Sequence, residues 1–402
     1  MLANRYVRTI ILSRLLLQLG IWIRNYGVLL YVTETTGNNP IDVSLISVAE
    51  FAPIFLFALI GGTLADRWQP RRTMVWSDLL SALSVVAVWL LVLQGGWVML
   101  LVGSFISASL SQLSQPSAMK LYKRHVPEAQ LQAVMSLSQS LIAIFTILGP
   151  AVGTFIFIRF GIDVTLIVTA LLFLGSSCIL LGLPRDQQQV EQSDRQGFRH
   201  ELRDGLHYIR SSRSLRTLSL TFAAVGLASG LTQPLQIFLV IEQLGLDKSF
   251  LQWFLMVNGA AMLAGGIIIT GLARKMQPHL MLIVGLLVSA VCTAGIGASR
   301  QMILTFALLA ISGFFYPCIQ GGIQTLMIRN TETAFIGRVT GTMMPVFMGM
   351  MVTGMLISGY FKESFSLFSV YLFSGGLIVI GALVLLPFVL RTTQPDEEKR
   401  AA

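Results

Sequence analysis

Apolar positions in this chain are gathered into long uninterrupted runs. They fall near residues 7–32, 43–65, 74–94, 97–118, 133–157 and 163–183, then 217–241, 250–272, 279–298, 302–326, 339–360 and 365–390. A helix that crosses the hydrocarbon core of a bilayer needs roughly 20 such residues, and each run has that length. Membrane β-barrels show alternating polarity in segments of about ten residues, a pattern absent from these runs. In lipid every backbone N–H and C=O must find its bond within protein, which a helix achieves alone. The pattern predicts an all-α integral membrane protein with twelve transmembrane helices.

One long polar segment, PRDQQQVEQSDRQGFRHELRDGLHYIRSSRSLR at residues 184–216, interrupts the series. Its first half is Gln-rich and reads as a flexible linker. In its second half Leu202, Leu206 and Ile209 recur at helical spacing among charges, which predicts an amphipathic helix lying on the membrane surface. The segment separates an N-terminal six-helix bundle (1–183) from a C-terminal one (217–402). LADRWQP at Leu64–Pro70 returns as LARKMQP at Leu272–Pro278, each copy ending the second span of its half. Two pseudo-symmetric bundles of six follow from that repeat.

Composition sharpens the picture. Only 12% of residues are charged, against about 25% in soluble proteins. The formal charge of +9 looks at first like a nucleic-acid signal. With the N-terminus in the cytoplasm, however, 22 of the 28 Lys and Arg residues fall in cytoplasmic loops and ends. Only Arg159, Lys248, Arg300 and Lys362 fall opposite, with Arg14 and Arg24 inside span one. This is the positive-inside asymmetry, so both termini are expected in the cytoplasm and no nucleic-acid partner is expected. MLANRYVR leads straight into a run too long for a cleavable signal, so span one is expected to stay. Cys178, Cys292 and Cys318 lie inside spans without CxxC spacing and read as small buried hydrophobes.

Ionisable groups inside a bilayer cost roughly 2.5–3.5 kcal/mol or more and mark functional sites. Here they are Arg14 and Arg24 in span one, Glu50 in span two and Asp78 in span three. At a rise of about 1.5 Å per residue, Arg24 and Glu50 stand at nearly equal depth on either side of the first outer loop. They are expected to face each other. Glu50 is either a proton carrier that parts from Arg24 when water reaches it, or an ionised partner that fixes the hairpin. The repeat sets Asn258 opposite Glu50, so only the first half carries the acid. Asp78, about one turn inside the cytoplasmic surface, is expected to support the loop network. Seventeen methionines offer an adaptable apolar surface. No Walker motif, HExxH or paired-cysteine metal site is present, and no nucleophile stands near a base. Neither an enzyme, a cofactor nor a resident metal is expected.

GTLADRWQPRR resembles the cytoplasmic loop signature of the major facilitator superfamily, G-x-L-a-D-r-x-G-r-k/r, at the place where that family carries it. Gly62, Leu64, Ala65, Asp66, Arg67, Arg71 and Arg72 match, while Gln69 and Pro70 depart from it. YVTETTGNNP, DGLHYIRSSRSLRTL and IGRVTG resemble the branch that holds macrolide-efflux proteins and the enterobactin exporter. The resemblance implies a gate in which Asp66 bridges to Gly337 and Arg338 at the start of span eleven, with Gly62, Arg67, Arg71, Arg72 and Asp78 around it. It also implies a central cavity lined by spans one, four, seven and ten. Gln18, Asn25, Gln112, Gln115, Gln139, Gln233, Gln236, Asn258, Tyr316, Gln320 and Gln324 are assigned to that cavity. Taken singly, each amide reads as an interhelical hydrogen bond. GPAVG, with Gly149, Pro150 and Gly153, resembles part of the drug-antiporter signature, although Thr154 replaces its last glycine. Its plainer reading is a proline kink with small residues for close packing.

The expected function is secondary active export of amphipathic small molecules, drug- or siderophore-like, by proton antiport and alternating access. Glu50, Arg24 and Arg14 are the coupling candidates. The setting is a multi-pass protein of the inner membrane, acting as a monomer, with solute, protons and lipid as its partners. The alternatives are a lipid or lysolipid translocator of the same fold, and a sensor or scaffold that moves nothing.

Overall fold

A computed structural model gives the fold of residues 4–67, 69–93, 96–184, 198–273, 277–332 and 335–401, and describes their side chains except at 58–67, 198–202, 270, 272–273 and 386–401. Regular structure among the described residues is helical throughout. The principal helices are α1 (Arg5–Thr35), α2 (Pro40–Arg67), α3 (Pro70–Val92), α4 (Val98–His125), α5 (Glu128–Leu181), α6 (Phe198–Ser211), α7 (Arg213–Thr232), α8 (Leu251–Ala273), α9 (Pro278–Ala298), α10 (Met302–Arg329), α11 (Ile336–Ser364) and α12 (Leu367–Ala401). All but α6 contain a stretch long and apolar enough to cross a membrane, which makes 11 such helices. Because α5 holds two spans, they supply twelve. Their outward faces carry exposed aliphatic side chains such as Ile303, Ile267 and Val291, as a lipid-facing surface requires. The chain divides into two compact units, Met1–Arg195 with Leu251–Met256, and Gln196–Phe250 with Val257–Ala402.

In the first unit, spans five and six are joined at a single residue. Gly161 has φ 77 and ψ −175 inside the 54 residues of α5, a backbone region essentially confined to glycine. The packing against α1 shows that the chain reverses there. Gly149 lies against Trp22, and Gly153 against Trp22 and Tyr26, in parallel order. Beyond the break, Thr165 meets Gly27, Phe173 meets Gly20 and Leu16 meets Gly175, in antiparallel order. Small residues let membrane helices approach closely, and α1 is held by α5 on both strokes of this hairpin. One buried cluster gathers Val28, Val85, Leu166 and Phe173; another gathers Ile10, Met74, Leu121 and Leu180.

The repeated Gln-Pro pair reappears as the same local structure. Gln69 and Gln277 are extended N-caps, and Pro70 and Pro278 open α3 and α9. Proline suits that position because its missing N–H would be unpaired there anyway.

In the second unit α7 and α11 approach through glycines. Gly226 faces the Phe347 carbonyl, Gly230 the Met351 backbone and Gly354 the Leu227 carbonyl. Span seven is not the continuous helix that 217–241 predicts. α7 ends at Thr232, and a short helical piece, Gln236–Phe238, and a wide π turn, Leu239–Gln243, follow. Pro234 has no N–H to continue the ladder. The Gln243 amide nitrogen then donates toward the carbonyls of Ile296, Gly297 and Ser299 at 3.2, 2.8 and 2.5 Å. These carbonyls cluster at the end of α9, where helix carbonyls run out of intrahelical donors; that of Ile296 also takes the Ser299 N–H at 3.3 Å. Lys362 donates to Glu242 at 2.9 Å, and its ammonium stands 4.1 Å from the centre of the Phe238 ring.

The amphipathic helix also departs from expectation, since its inner face packs on protein. Tyr208 stacks on Phe335 with ring centroids 4.5 Å apart, and its hydroxyl accepts the Glu332 N–H at 3.2 Å. Gly205 lies against Arg338 and Thr342 of α11, and Ile209 is buried. Glycine at 205 leaves room for α11 to meet the α6 backbone, which a larger side chain would prevent.

Candidate functional site

The membrane-embedded charges of the first unit form two separate groups. In the one nearer the turn between α1 and α2, Arg24 is 3% exposed. Its Nε and Nη2 donate to Asn25 Oδ1 at 3.1 and 2.8 Å, while Nη1 is buried without a partner. Glu50 on α2 is half-buried, and its enclosed Oε1 has no hydrogen-bond partner either. The charges of Arg24 and Glu50 act on one another, yet no salt-bridge contact joins them among the described residues. Tyr26, stacked on Trp22, also feels the Glu50 charge. Two opposite charges thus stand close, unlocked, each with an unused bonding position. Asn25, assigned by resemblance to a cavity, is here the acceptor that orients Arg24.

The second group corrects the reading of Asp78. It is 1% exposed and stands among helices rather than in the loop network. Ser176 Oγ donates to Asp78 Oδ2 at 2.6 Å, and Ser13 Oγ lies 2.9 Å from Ser176 Oγ. Arg14, grouped by sequence with Arg24 and Glu50, instead faces Asp78 and donates to the Ser114 carbonyl at 2.7 Å. Spans three, four and six each contribute one of these groups, and span one contributes two. Asp78 Oδ1 remains buried without a partner. Ser13, Ser114 and Ser176 went unremarked because a serine in an apolar run looks like any small packing residue. The presence of an ionisable group in each of spans one and three, Arg14 and Asp78, was the one available signal.

The side chains of Gly62, Asp66 and Arg67 lie outside the described residues. Of the same signature, Arg71 donates to the Leu181 carbonyl at 2.7 Å and Arg72 is exposed. Arg338, expected opposite Asp66, pairs with Asp204 of α6 at 3.4 Å. That partner went unforeseen because the linker helix was expected on the lipid surface.

The amides split into two kinds. Asn258 donates to the Leu309 carbonyl at 3.0 Å, and Gln320 to the Tyr316 hydroxyl at 2.6 Å. Gln233 caps the end of α7 through its backbone N–H. Gln18, Gln112, Gln115, Gln139, Gln236 and Gln324 have no side-chain hydrogen bond among the described residues. In lipid an unpaired amide is costly, so these six have bonding capacity left for water or a ligand. Gly149 and Gly153 pack on α1 on either side of the in-helix Pro150.

A family model described as Major Facilitator Superfamily matches residues 10–353. The uncharacterized MFS-type transporter YfiS of Bacillus subtilis (strain 168) is 26% identical over 388 residues, covering 94% of this chain and 92% of that protein. Macrolide efflux protein A of Streptococcus pyogenes is 23% identical over 371 residues, 89% of each chain. Among solved structures, the nucleoside transporter NupG aligns with a TM-score of 0.77 at 12% identity, covering 96% of this chain and 99% of that one, a likeness of fold alone.

Proposed function

Because the chain belongs to the Major Facilitator Superfamily, we propose that it is a secondary active exporter of amphipathic, drug- or siderophore-like molecules that exchanges solute for protons by alternating access. Resemblance to a macrolide efflux protein supports export. The observation that carries proton coupling is the unlocked pair of Arg24 and Glu50, each with a buried atom lacking a partner. Glu50 is the proton carrier. Arg24, oriented by Asn25, holds the carboxylate while it is charged and loses that hold when it is neutralised. The unpaired amides receive the polar groups of the solute. Gly62, Asp66, Arg67, Arg71 and Arg72 serve as the cytoplasmic gate motif. Both termini lie in the cytoplasm, and the driving force is about 2.3 kcal/mol per charge for each 100 mV, apart from any pH gradient.

Inside-out vesicles with an imposed pH gradient test this, with a macrolide and a fluorescent dye as solutes. Wild type accumulates solute when the gradient is applied and releases it when a protonophore collapses it. Glu50→Gln should bind solute but show no gradient-dependent uptake. Gradient-driven uptake by Glu50→Gln would remove Glu50 from the mechanism. Uptake in wild type that ignores the protonophore would remove proton antiport altogether.

A further inference from the structure

We propose that the outer face of α6 and the first turn of α7 bind the headgroups of anionic phospholipids. The inner face of α6 is committed to protein through Gly205, Tyr208, Ile209 and the Asp204–Arg338 pair. On the opposite side Arg203, Leu206, His207 and Arg210 are exposed and share one helical face by their spacing. Ser212 alone separates α6 from α7, whose first turn contains no acid and carries the exposed Arg213 and Arg216. None of these four arginines has an intramolecular partner among the described residues. Their position relative to lipid follows from their neighbours. α7 is a span that begins at Arg213, and α6 lies on the opening turns of α11, another span. The face therefore sits where headgroups begin. Asp204, on the inner face of α6, pairs with Arg338. Leu206, 38% exposed amid the basic groups, supplies the apolar contact that an interfacial helix makes with acyl chains. A basic cluster beside a span is drawn to an anionic leaflet. Here it would press α6 onto α11, so lipid charge steadies the contact that holds Arg338. The inference stands whether or not the chain moves protons.

Hydrogen exchange of the α6 amides tests it, with the whole protein in nanodiscs of phosphatidylcholine alone or mixed with phosphatidylglycerol. Phosphatidylglycerol should slow α6 exchange severalfold in wild type. It should not do so in the combined variant Arg203→Gln, Arg210→Gln, Arg213→Gln, Arg216→Gln, whose spans exchange as in wild type. Glycerol phosphate added to phosphatidylcholine discs should have no effect. Equal α6 exchange in the two lipids, or slowing that survives in the variant, would overturn the proposal. Slowing by free glycerol phosphate would identify a soluble phosphate site and overturn the lipid assignment. Should the variant fail to fold, the two-lipid comparison in wild type still decides.

Discussion

Replacing Gly153 by alanine tests whether GPAVG is a packing device. A methyl group at this position would stand 2.9 Å from the Trp22 carbonyl oxygen, 3.0 Å from Tyr26 Cβ and 3.3 Å from Ile23 Cα. These atoms belong to the backbone of α1 or are fixed directly to it, so no side chain can swing aside. Comfortable contacts between such atoms lie near 3.5–4.0 Å, so α1 must retreat by about 0.5 Å. The same seam carries the close approach at Gly149, while Gly20 and Gly27 meet the stroke of α5 beyond Gly161. Overpacking of this kind costs about 1–3 kcal/mol, and alanine in a helix interior recovers about 0.5–1 kcal/mol. The net expectation is a loss of about 1–2 kcal/mol. Gly376→Ala in α12 is the control, because a methyl there meets nothing within 4 Å. Thermal unfolding of the purified proteins in one detergent should place Gly153→Ala below wild type and Gly376→Ala level with it or above. If the two variants unfold together, the packing argument is wrong. A Gly153→Ala protein of full stability that has lost uptake would show that the glycine serves movement instead.

Gly161→Ala should cost about 1–3 kcal/mol through backbone strain alone, since a methyl there meets nothing within 4 Å; a thermal midpoint equal to wild type would contradict it. Asp78→Asn should cost about 3 kcal/mol by leaving Arg14 without its facing carboxylate, and adding Arg14→Met should recover part of the loss, as a double-mutant cycle in thermal unfolding would show. Lys362→Met should lose about 1–2 kcal/mol, because the ammonium both pairs with Glu242 and rests on Phe238, and high salt should shrink the gap between variant and wild type.

The spans were legible because lipid imposes one demand, backbone self-sufficiency over some twenty residues, that writes itself as an apolar run. The Gln-Pro repeat was equally readable, since proline at a helix start acts locally. What depended on direction was harder to read. Nothing in the run 217–241 except Pro234 signals that α7 stops at Thr232. The amphipathicity of α6 was visible, yet it does not say what covers each residue: Ile209 is buried while Leu206 stays exposed. Arg14 and Arg24 lie ten positions apart on one helix, and sequence grouped them. Their depth along α1 gives one to Asp78 and the other to Glu50.

The amide of Gln243 has two hydrogens and three carbonyl oxygens within bonding reach. The amide can serve only two at once, and the Ile296 carbonyl has the Ser299 N–H as a second donor. That surplus is slack in a knot: the end of α9 and the turn that follows α7 can each slip by one bond without coming apart. A leucine at this position would cut the knot, and two segments that now loosen together would fray independently.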